Sequence, residues 1–322
     1  MVAHARRAHV SVALAASVLL VACHRSSNPP PSPGSAGRGE LGSAPLRRIV
    51  PANAAAAEFL AALLGDRGPE RVVALPEQVD GYSCFDFEKG AWAVLPRFPR
   101  YTAEALIVLE PDLVLTHAWQ SAETTSVLRS RGVMVIVLDS AEGKGIDGIR
   151  GSLEMLARRL GVVSEGAEVL AALGAREAKL RETAGTRSKL RALVYSNDGT
   201  GGWAAGAATT ADAMVRLAGL RDAAAEAGLE GHVPLDFEKL LGLDPDVIVV
   251  GEPAEGEGGS PTKSVLESAK ELAGLSAVVS RRIVTLPAPL LSVDSPFLMD
   301  AAERLAAQVD ALLARGGSTS PR

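Results

Sequence analysis

Several residue types are scarce in this chain. Its acidic charge balance and its short apolar runs also argue against two classes of protein. Its 322 residues include two cysteines, five histidines and only 4% aromatic residues. The net charge is −5, and an acidic balance of this kind argues against nucleic acid as a partner. After residue 22, no apolar run reaches the roughly 20 residues that a membrane-spanning helix needs.

The N-terminus carries the pattern of a secretory signal peptide. Arg6 and Arg7 precede the apolar run VSVALAASVLLVA, which predicts a signal over residues 1–22. The last four residues of this region, LVAC, resemble a bacterial lipobox, which implies cleavage before Cys23 and lipidation of that cysteine. Only Cys84 would then remain, so no intramolecular disulfide could form. Cleavage would also move the net charge from −5 to −7.

The segment that follows the cysteine is dominated by proline, serine and glycine. Residues 26–45 read SSNPPPSPGSAGRGELGSAP, a composition that cannot bury a core. We therefore expect a flexible tether over residues 23–46, which would hold a folded domain at the membrane surface.

Motifs of the common enzyme classes are missing. The chain contains neither a G-x-S-x-G elbow nor a Walker lysine motif. The stretch DGTGGWAAG fails the dinucleotide pattern, because Ala204 stands where the third glycine is required. Cys84 and His117 could in principle form a thiol nucleophile, but nothing in the sequence brings them together. We expect no enzymatic activity and no cofactor of the protein's own.

From residue 46 onward, short apolar runs alternate with amphipathic stretches. Such runs, rich in β-branched residues, predict buried parallel strands, and the amphipathic stretches predict helices. The predicted strands cover residues 48–52, 71–75, 112–117, 133–139, 192–197, 246–251 and 281–287. Residues 164–191, rich in Ala, Leu, Glu, Lys and Arg, predict one long helix in the middle of the chain. We expect an N-terminal lobe over 47–163, a connecting helix over 164–190, a C-terminal lobe over 191–315 and a tail over 316–322.

One small unit occurs in both lobes. EALIVLEPDLVL begins at Glu104, EKLLGLDPDVIVV begins at Glu238, and each glutamate stands seven residues before a Pro-Asp pair. Each copy predicts a short helix, a turn at the proline and a buried strand. The shared spacing indicates pseudo-symmetry between the lobes.

The order of these blocks resembles the substrate-binding proteins of bacterial ABC importers for cobalamin, haem and iron–siderophores. The resemblance runs from about Arg48 to Leu313 and is carried by RIVPANAAAAEFLAALLG, AEALIVLEPDLVLTH, AAGAATTADAMVRLAG, GLEGHVPLDFEKLLGLDPDVIVV and DSPFLMDAAERLA. It implies an α/β fold of two Rossmann-like lobes with parallel sheets, joined by one long backbone helix, with the ligand in the cleft between the lobes. It also implies that Glu104 and Glu238 dock onto the two subunits of an ABC permease. The alternative is that both acids only stabilise the starts of their helices.

Aromatic residues cluster in one segment, residues 80–101. A segment this aromatic either packs under itself or lines a pocket suited to a flat macrocycle. Its candidates for ligand contact are Tyr82, Phe85, Arg97, Phe98 and Tyr101. The resemblance places a cobalamin contact at Phe98. Arg97 stands where haem-binding relatives have a tyrosine, a departure from the tyrosine-ligated mode of haem binding.

Two histidines and two tryptophans complete the candidate ligand set. His117 ends a predicted strand and Trp119 follows it, while His232 precedes the second repeated unit. His117 and His232 could ligate a metal centre or bind anionic groups, or they could be ordinary polar residues at strand and loop ends. The resemblance places an aromatic contact at Trp203, for which local packing is the alternative, and a rim position at Asp294.

These observations predict a monomeric lipoprotein of the cell envelope, anchored in the periplasm through Cys23. It would bind a metal chelate containing cobalt or iron and deliver it to a permease dimer with a cytoplasmic ATPase. Two alternatives stay open. One is a binder of bare Zn²⁺ or Mn²⁺, and the other is a sensor or scaffold lipoprotein that has kept the fold.

Overall fold

The computed structural model describes residues 46–138, 143–197, 199, 201–252 and 259–317. The predicted signal peptide, Cys23, nearly all of the tether and the end of the tail lie outside these residues. The described chain belongs to one compact unit that begins at Pro45. None of its described helices combines the length and the hydropathy needed to cross a bilayer.

Strands and helices alternate along the described chain, as the sequence predicts. The strands are β1 Ile49–Pro51, β2 Leu75–Pro76, β3 Arg97–Phe98, β4 Leu113–His117, β5 Met134–Leu138, β6 Arg191–Asn197, β7 Gly202–Ala205, β8 Arg221–Asp222, β9 His232–Pro234, β10 Val247–Glu252 and β11 Ile283–Pro287. The helices are α1 Ala54–Leu64, α2 Val79–Tyr82, α3 Ala103–Ile107, α4 Ala122–Ser130, α5 Ile146–Leu160, α6 Val163–Glu182, α7 Thr210–Leu217, α8 Ala223–Glu226, α9 Phe237–Leu243, α10 Pro261–Ser268, α11 Ser276–Val279, α12 Ala288–Leu291 and α13 Leu298–Gly317.

The N-terminal lobe contains a parallel sheet in the order β1-β4-β5. The strand predicted over residues 71–75 is divided. Val72 forms a single parallel bridge with Ile49 of β1, and Leu75–Pro76 pairs instead with β3. The backbone turns from one partner to the other within three residues, so no continuous strand forms there.

The C-terminal lobe has a mixed sheet in the order β11-β10-β6-β7-β9, with β8 beside the start of β6. Its β11-β10-β6 part is parallel, as predicted, whereas β7 pairs antiparallel with both β6 and β9. The segment around Trp203, which lies outside the predicted strands, is therefore a strand. Gly202 makes the pairing possible, because an added Cβ would lie 2.0 Å from the hydroxyl oxygen of Tyr195.

The long helix α6 connects the two lobes, which confirms the predicted architecture. It ends at Glu182, earlier than predicted, and a 3-10 helix follows at Gly185–Lys189 after the positive φ of Gly185. One continuous apolar core includes Phe59 of α1, Leu173 of α6 and Met299 of α13. The lobes are therefore packed around the connecting helix rather than tethered by it.

The repeated unit in the sequence is also a repeat in the structure. The carboxylate of Asp112 accepts a hydrogen bond from the backbone N–H of Arg48 at 3.0 Å, just before β1. Asp246 accepts the same bond from Arg191 at 2.8 Å, at the start of β6. In both lobes this arginine side chain then donates to a carbonyl near the end of the repeated helix. The Pro-Asp pair thus attaches each helix to the first strand of its lobe.

Arg187 is buried where α6, α7 and α13 meet. Its Nε donates to the carbonyl of Ala218 at 3.1 Å, and its guanidinium pairs with Asp310 of α13. Only 1% of the residue is exposed. A buried donor of this kind is costly to remove, because the buried Ala218 carbonyl is left without a partner, whereas Asp310, whose side chain is 53% exposed, can bond to water.

We expect Arg187→Ala to lower the free energy of unfolding by about 3 kcal/mol, measured by urea denaturation. Arg158→Ala is the matched control, since Arg158 pairs with Glu154 on an exposed helix face. That change should cost less than about 0.5 kcal/mol. Equal effects of the two substitutions would contradict a structural role for the buried guanidinium.

Candidate ligand-binding cleft

A cavity of about 420 Å³ opens between the lobes at the carboxyl ends of the parallel strands. Its walls include segments that follow β1, β2, β4 and β11, the position where open α/β sheets bind ligands. The lining residues are Asn53, Ala54, Ala55, Glu58, Gln78, Tyr82, Cys84, Trp119, Thr210, His232, Pro289, Leu291, Ser292, Val293 and Asp294. Both lobes contribute to this wall.

A larger cavity of about 800 Å³ lies elsewhere, against α5, α6 and α7. Its charged residues are engaged in ion pairs, as in Arg181–Glu177 within the lining and Arg216 with the neighbouring Asp212. Its lining residues lie on or beside helices rather than at the carboxyl ends of strands. We therefore centre the functional site on the smaller cavity.

Glu58 holds two walls of the cleft together. Its carboxylate accepts hydrogen bonds from the Ser83 hydroxyl at 2.8 Å, from the backbone N–H of Cys84 and from the Ser295 hydroxyl. Only 2% of Glu58 is exposed, and this burial raises the pKa of its carboxyl while the hydrogen bonds lower it. The bond to Ser295 joins α1 of the N-terminal lobe to the segment before α13.

Trp119 forms an exposed aromatic surface at the cleft. Its ring stacks on His117, with centroids 6.0 Å apart and an interplanar angle of 14°. Trp119 is 59% exposed, whereas His117 is only 1% exposed. The buried imidazole therefore supports a flat ring that is open to a ligand.

His117 itself lies behind the cavity wall. Its Nδ1 is 3.2 Å from the side-chain nitrogen of Asn53, and its Nε2 is 3.9 Å from a carboxylate oxygen of Asp294. Nε2 has no hydrogen-bond partner among the described residues. Burial lowers the pKa of His117, an effect that the Asp294 carboxylate partly offsets.

Most of the aromatic segment packs under itself. Phe85 contacts Phe87 and Phe297 with ring centroids 4.8 and 6.0 Å apart, and Phe87 meets Trp92 at 5.4 Å. Among the aromatic residues of this fully described segment, Tyr82 is the one that lines the cleft cavity. An apolar ring gains more from burial against its neighbours than from exposure at a rim.

Phe98, Tyr101 and Arg97 also lie away from the cavity. Phe98 is buried in the N-terminal lobe, and the Tyr101 hydroxyl is 3.0 Å from the Thr125 hydroxyl. The Arg97 guanidinium donates to the Asp80 carboxylate at 2.8–3.0 Å and to two backbone carbonyls. This arginine therefore orders the aromatic segment rather than facing the cleft.

Trp203 is half exposed on β7 and borders a separate cavity of about 290 Å³. The cleft cavity thus brings together Tyr82, Trp119, His232 and Asp294 of the predicted ligand set. Sequence reasoning missed Glu58 and Asn53. A lone acid inside the apolar helix AAAAEFLAALL was the available signal for Glu58, because such an acid requires buried partners.

Two observations bear on the alternative readings of the protein as a binder of a bare metal ion or as a thiol enzyme. Among the residues that the structure describes, no group of three or more His, Cys, Asp and Glu side chains could hold a metal ion. Burial, followed by the nearby Glu58 carboxylate, raises the pKa of the Cys84 thiol. A raised pKa favours the thiol over the nucleophilic thiolate, which argues against a role for Cys84 in catalysis.

Glu104 and Glu238 occupy equivalent positions, each at the second residue of its helix. Both side chains are exposed. The caps are other residues: Thr102 accepts from the N–H of Ala105 at 3.3 Å, and Asp236 accepts from that of Lys239 at 2.8 Å. Neither glutamate is needed as a cap, so both carboxylates are available at the surface.

Comparisons with known proteins agree with this architecture. A cobalamin-binding protein of Halobacterium salinarum is 30% identical over 153 residues, which is 47% of this chain and 41% of that protein. The chain thus matches less than half the length of the curated relatives.

Among solved structures, the periplasmic heme-binding protein RhuT from Roseiflexus sp. RS-1 has a TM-score of 0.68 and 28% identity. The similarity covers 83% of this chain and 99% of that one. The periplasmic vitamin B12 binding protein BtuF of Vibrio cholerae shares the fold, with a TM-score of 0.66 and 20% identity over 84% of this chain and 98% of that one.

The family model described as periplasmic binding protein matches residues 94–290, more than half of the sequence. That span includes the connecting helix, both repeated units and the cleft residues Trp119 and His232. The chain belongs to the periplasmic binding protein family.

Proposed function

We propose that this protein captures a metal chelate of the cobalamin, haem or ferric-siderophore class and delivers it to an ABC permease. The observation that carries the proposal is the exposed Trp119 ring, supported from below by His117 in a cleft between two lobes. A flat, rigid aromatic surface beside a few polar groups suits a large planar ligand. The names of the similar proteins, which include heme and cobalamin binders, support the same ligand class.

Delivery would use the two equivalent acids. Glu104 and Glu238 stand exposed at the starts of the repeated helices, one in each lobe. A permease dimer has two equivalent subunits, so two equivalent carboxylates could each meet one basic residue. Charge pairs of this type steer encounter and fix register.

Anchoring would occur through Cys23, which lies outside the described residues. The lipobox-like LVAC sequence and the Pro/Ser/Gly-rich tether support a lipoprotein whose folded domain extends from the membrane. A single anchor at the end of a flexible segment would keep the domain close to its permease.

Ligand capture can be tested by calorimetry with cyanocobalamin, hemin and ferric siderophores. We expect saturable binding of one ligand, weakened about tenfold by Trp119→Ala because a stacking surface is lost. Trp203→Ala is the matched control, since Trp203 is similarly exposed but borders another cavity. No binding by a folded protein would contradict the proposal.

Permease docking can be tested by reversing one charge at a time. Glu104→Lys and Glu238→Lys should each reduce ligand-stimulated ATPase activity of the reconstituted transporter about tenfold, with ligand affinity unchanged. The control is Glu123→Lys, because Glu123 is also an exposed acid in the first turn of its helix. Equal losses in all three variants would reject specific docking.

The lipid anchor can be tested by following where the protein partitions in cell fractions. We expect Cys23→Ser to move the protein from the membrane fraction to the soluble fraction, because no acyl chains are attached. Cys84→Ser should leave it in the membrane fraction. Release of both variants, or of neither, would show that Cys23 is not the anchor.

A further inference from the structure

A three-residue pattern occurs twice where the lobes meet at the cleft, once in each lobe. Residues 83–85 read Ser-Cys-Phe, and residues 295–297 read Ser-Pro-Phe. In each copy the serine hydroxyl oxygen accepts a hydrogen bond from the backbone N–H of the phenylalanine two residues later. The donor–acceptor distances are 3.1 Å in the first copy and 3.2 Å in the second. The two Ser-x-Phe segments therefore have the same local hydrogen bond.

Both segments meet at the carboxyl group of Glu58. The Ser83 hydroxyl donates to Oε1 at 2.8 Å, and the Ser295 hydroxyl donates to Oε2. The rings of Phe85 and Phe297 also contact each other, with centroids 6.0 Å apart and planes inclined by 59°. Each segment thus supplies one polar and one aromatic contact to the same junction. We call these five residues the interlobe latch.

The two sides of the interlobe latch are held unequally. The backbone N–H of Cys84 also donates to Oε1 of Glu58. Pro296 occupies the matching position in the second segment, and proline has no N–H to donate. Glu58 is therefore bonded to the Ser83 hydroxyl and the Cys84 N–H within its own lobe, but only to the Ser295 hydroxyl in the second segment. Separation of the two walls would break the bond to Ser295 and leave Glu58 with its own lobe.

The bond between the lobes is shielded from water. Ser295 is 0% exposed and Glu58 is 2% exposed. A hydrogen bond in such a site is stronger than one in water, and breaking it leaves buried polar atoms without a partner until water enters. The interlobe latch therefore favours the arrangement in which the two segments touch.

The interlobe latch is directly connected to the walls of the cleft cavity. The residue before each serine lines that cavity, Tyr82 on one side and Asp294 on the other. Because Ser83 and Ser295 bond to the same carboxyl group, the separation of these two wall residues depends on Glu58. Loss of the bond to Ser295 would free the two walls to move apart.

We propose that the interlobe latch holds the cleft at one width, and that ligand exchange requires the bond between Glu58 and Ser295 to break. Ser295 is a positioning residue, because it acts on the cleft walls through Glu58. The statement about ligand exchange rests on the proposed function, whereas the width of the cleft is a property of the ligand-free chain.

The test is pulsed electron paramagnetic resonance of the full chain in detergent, without ligand. Spin labels on a ketone-bearing unnatural amino acid at positions 77 and 230, exposed sites one in each lobe, leave both native cysteines unlabelled. We expect one narrow distance distribution for the unsubstituted latch. Ser295→Ala should add a population at longer distance and raise the ratio of open to closed molecules at least about tenfold.

Ser83→Ala is the matched control. It removes the same kind of bond to the same carboxyl group and the same acceptor for a phenylalanine N–H, but within one lobe. The ratio should then stay within about twofold of the unsubstituted latch. Phe297→Leu is a second variant, which removes the ring contact with Phe85 and should raise the ratio about threefold. An unchanged distribution in folded Ser295→Ala and Phe297→Leu, or equal effects of Ser83→Ala and Ser295→Ala, would overturn the proposal.

Ligand exchange supplies a second readout, by stopped-flow measurement with cyanocobalamin or hemin. Ser295→Ala should raise the association and dissociation rate constants together, each about tenfold, because both steps pass through the open cleft. Faster dissociation with unchanged association would indicate damage to the site and overturn the role in exchange. Failure of both ligands to bind would count against the proposed function alone, because the distance measurement decides the latch without a ligand.

Discussion

The geometry of the cleft depends on one buried carboxylate, that of Glu58. Removing a carboxyl group from water is unfavourable unless donors replace the water. Ser83, Cys84 and Ser295 supply those donors, and they come from two separate segments of the chain. Satisfying this one group therefore brings the Tyr82 side of the cleft and the Asp294 side of the cleft to a defined separation.

The same principle operates at the foot of each lobe. Asp112 and Asp246 accept backbone N–H groups at the start of β1 and β6, and Arg48 and Arg191 donate to carbonyls at the repeated helices. These matched bonds orient two helices in the same way relative to their sheets. The equivalent placement of Glu104 and Glu238 follows from this arrangement, so the proposed docking surface is a consequence of how the lobes are built.

Sequence reasoning was most successful where one residue property decided the outcome. Continuous apolar runs identified β1, β4, β5, β6, β10 and β11, because the strands of a parallel sheet are largely covered by helices and are therefore rich in apolar residues. It was least successful for the aromatic segment, where Phe85 and Phe98 are suited equally to a pocket or to a core. Packing against Phe297 and within the N-terminal lobe decided between the two, and those partners are distant in sequence.

The sequence by itself determined the α/β class, the connecting helix and the repeated unit, because hydrophobic periodicity and Pro-Asp turns act over short distances. Tertiary structure alone decided which polar groups meet. Glu58 bonds to Ser295, which lies 237 residues away, and His117 lies beside Asn53, 64 residues away. The bond to Ser295 forms only when both lobes are folded. Ligand chemistry follows from those long-range contacts, since a side chain's charge and hydrogen-bonding role depend on the groups around it.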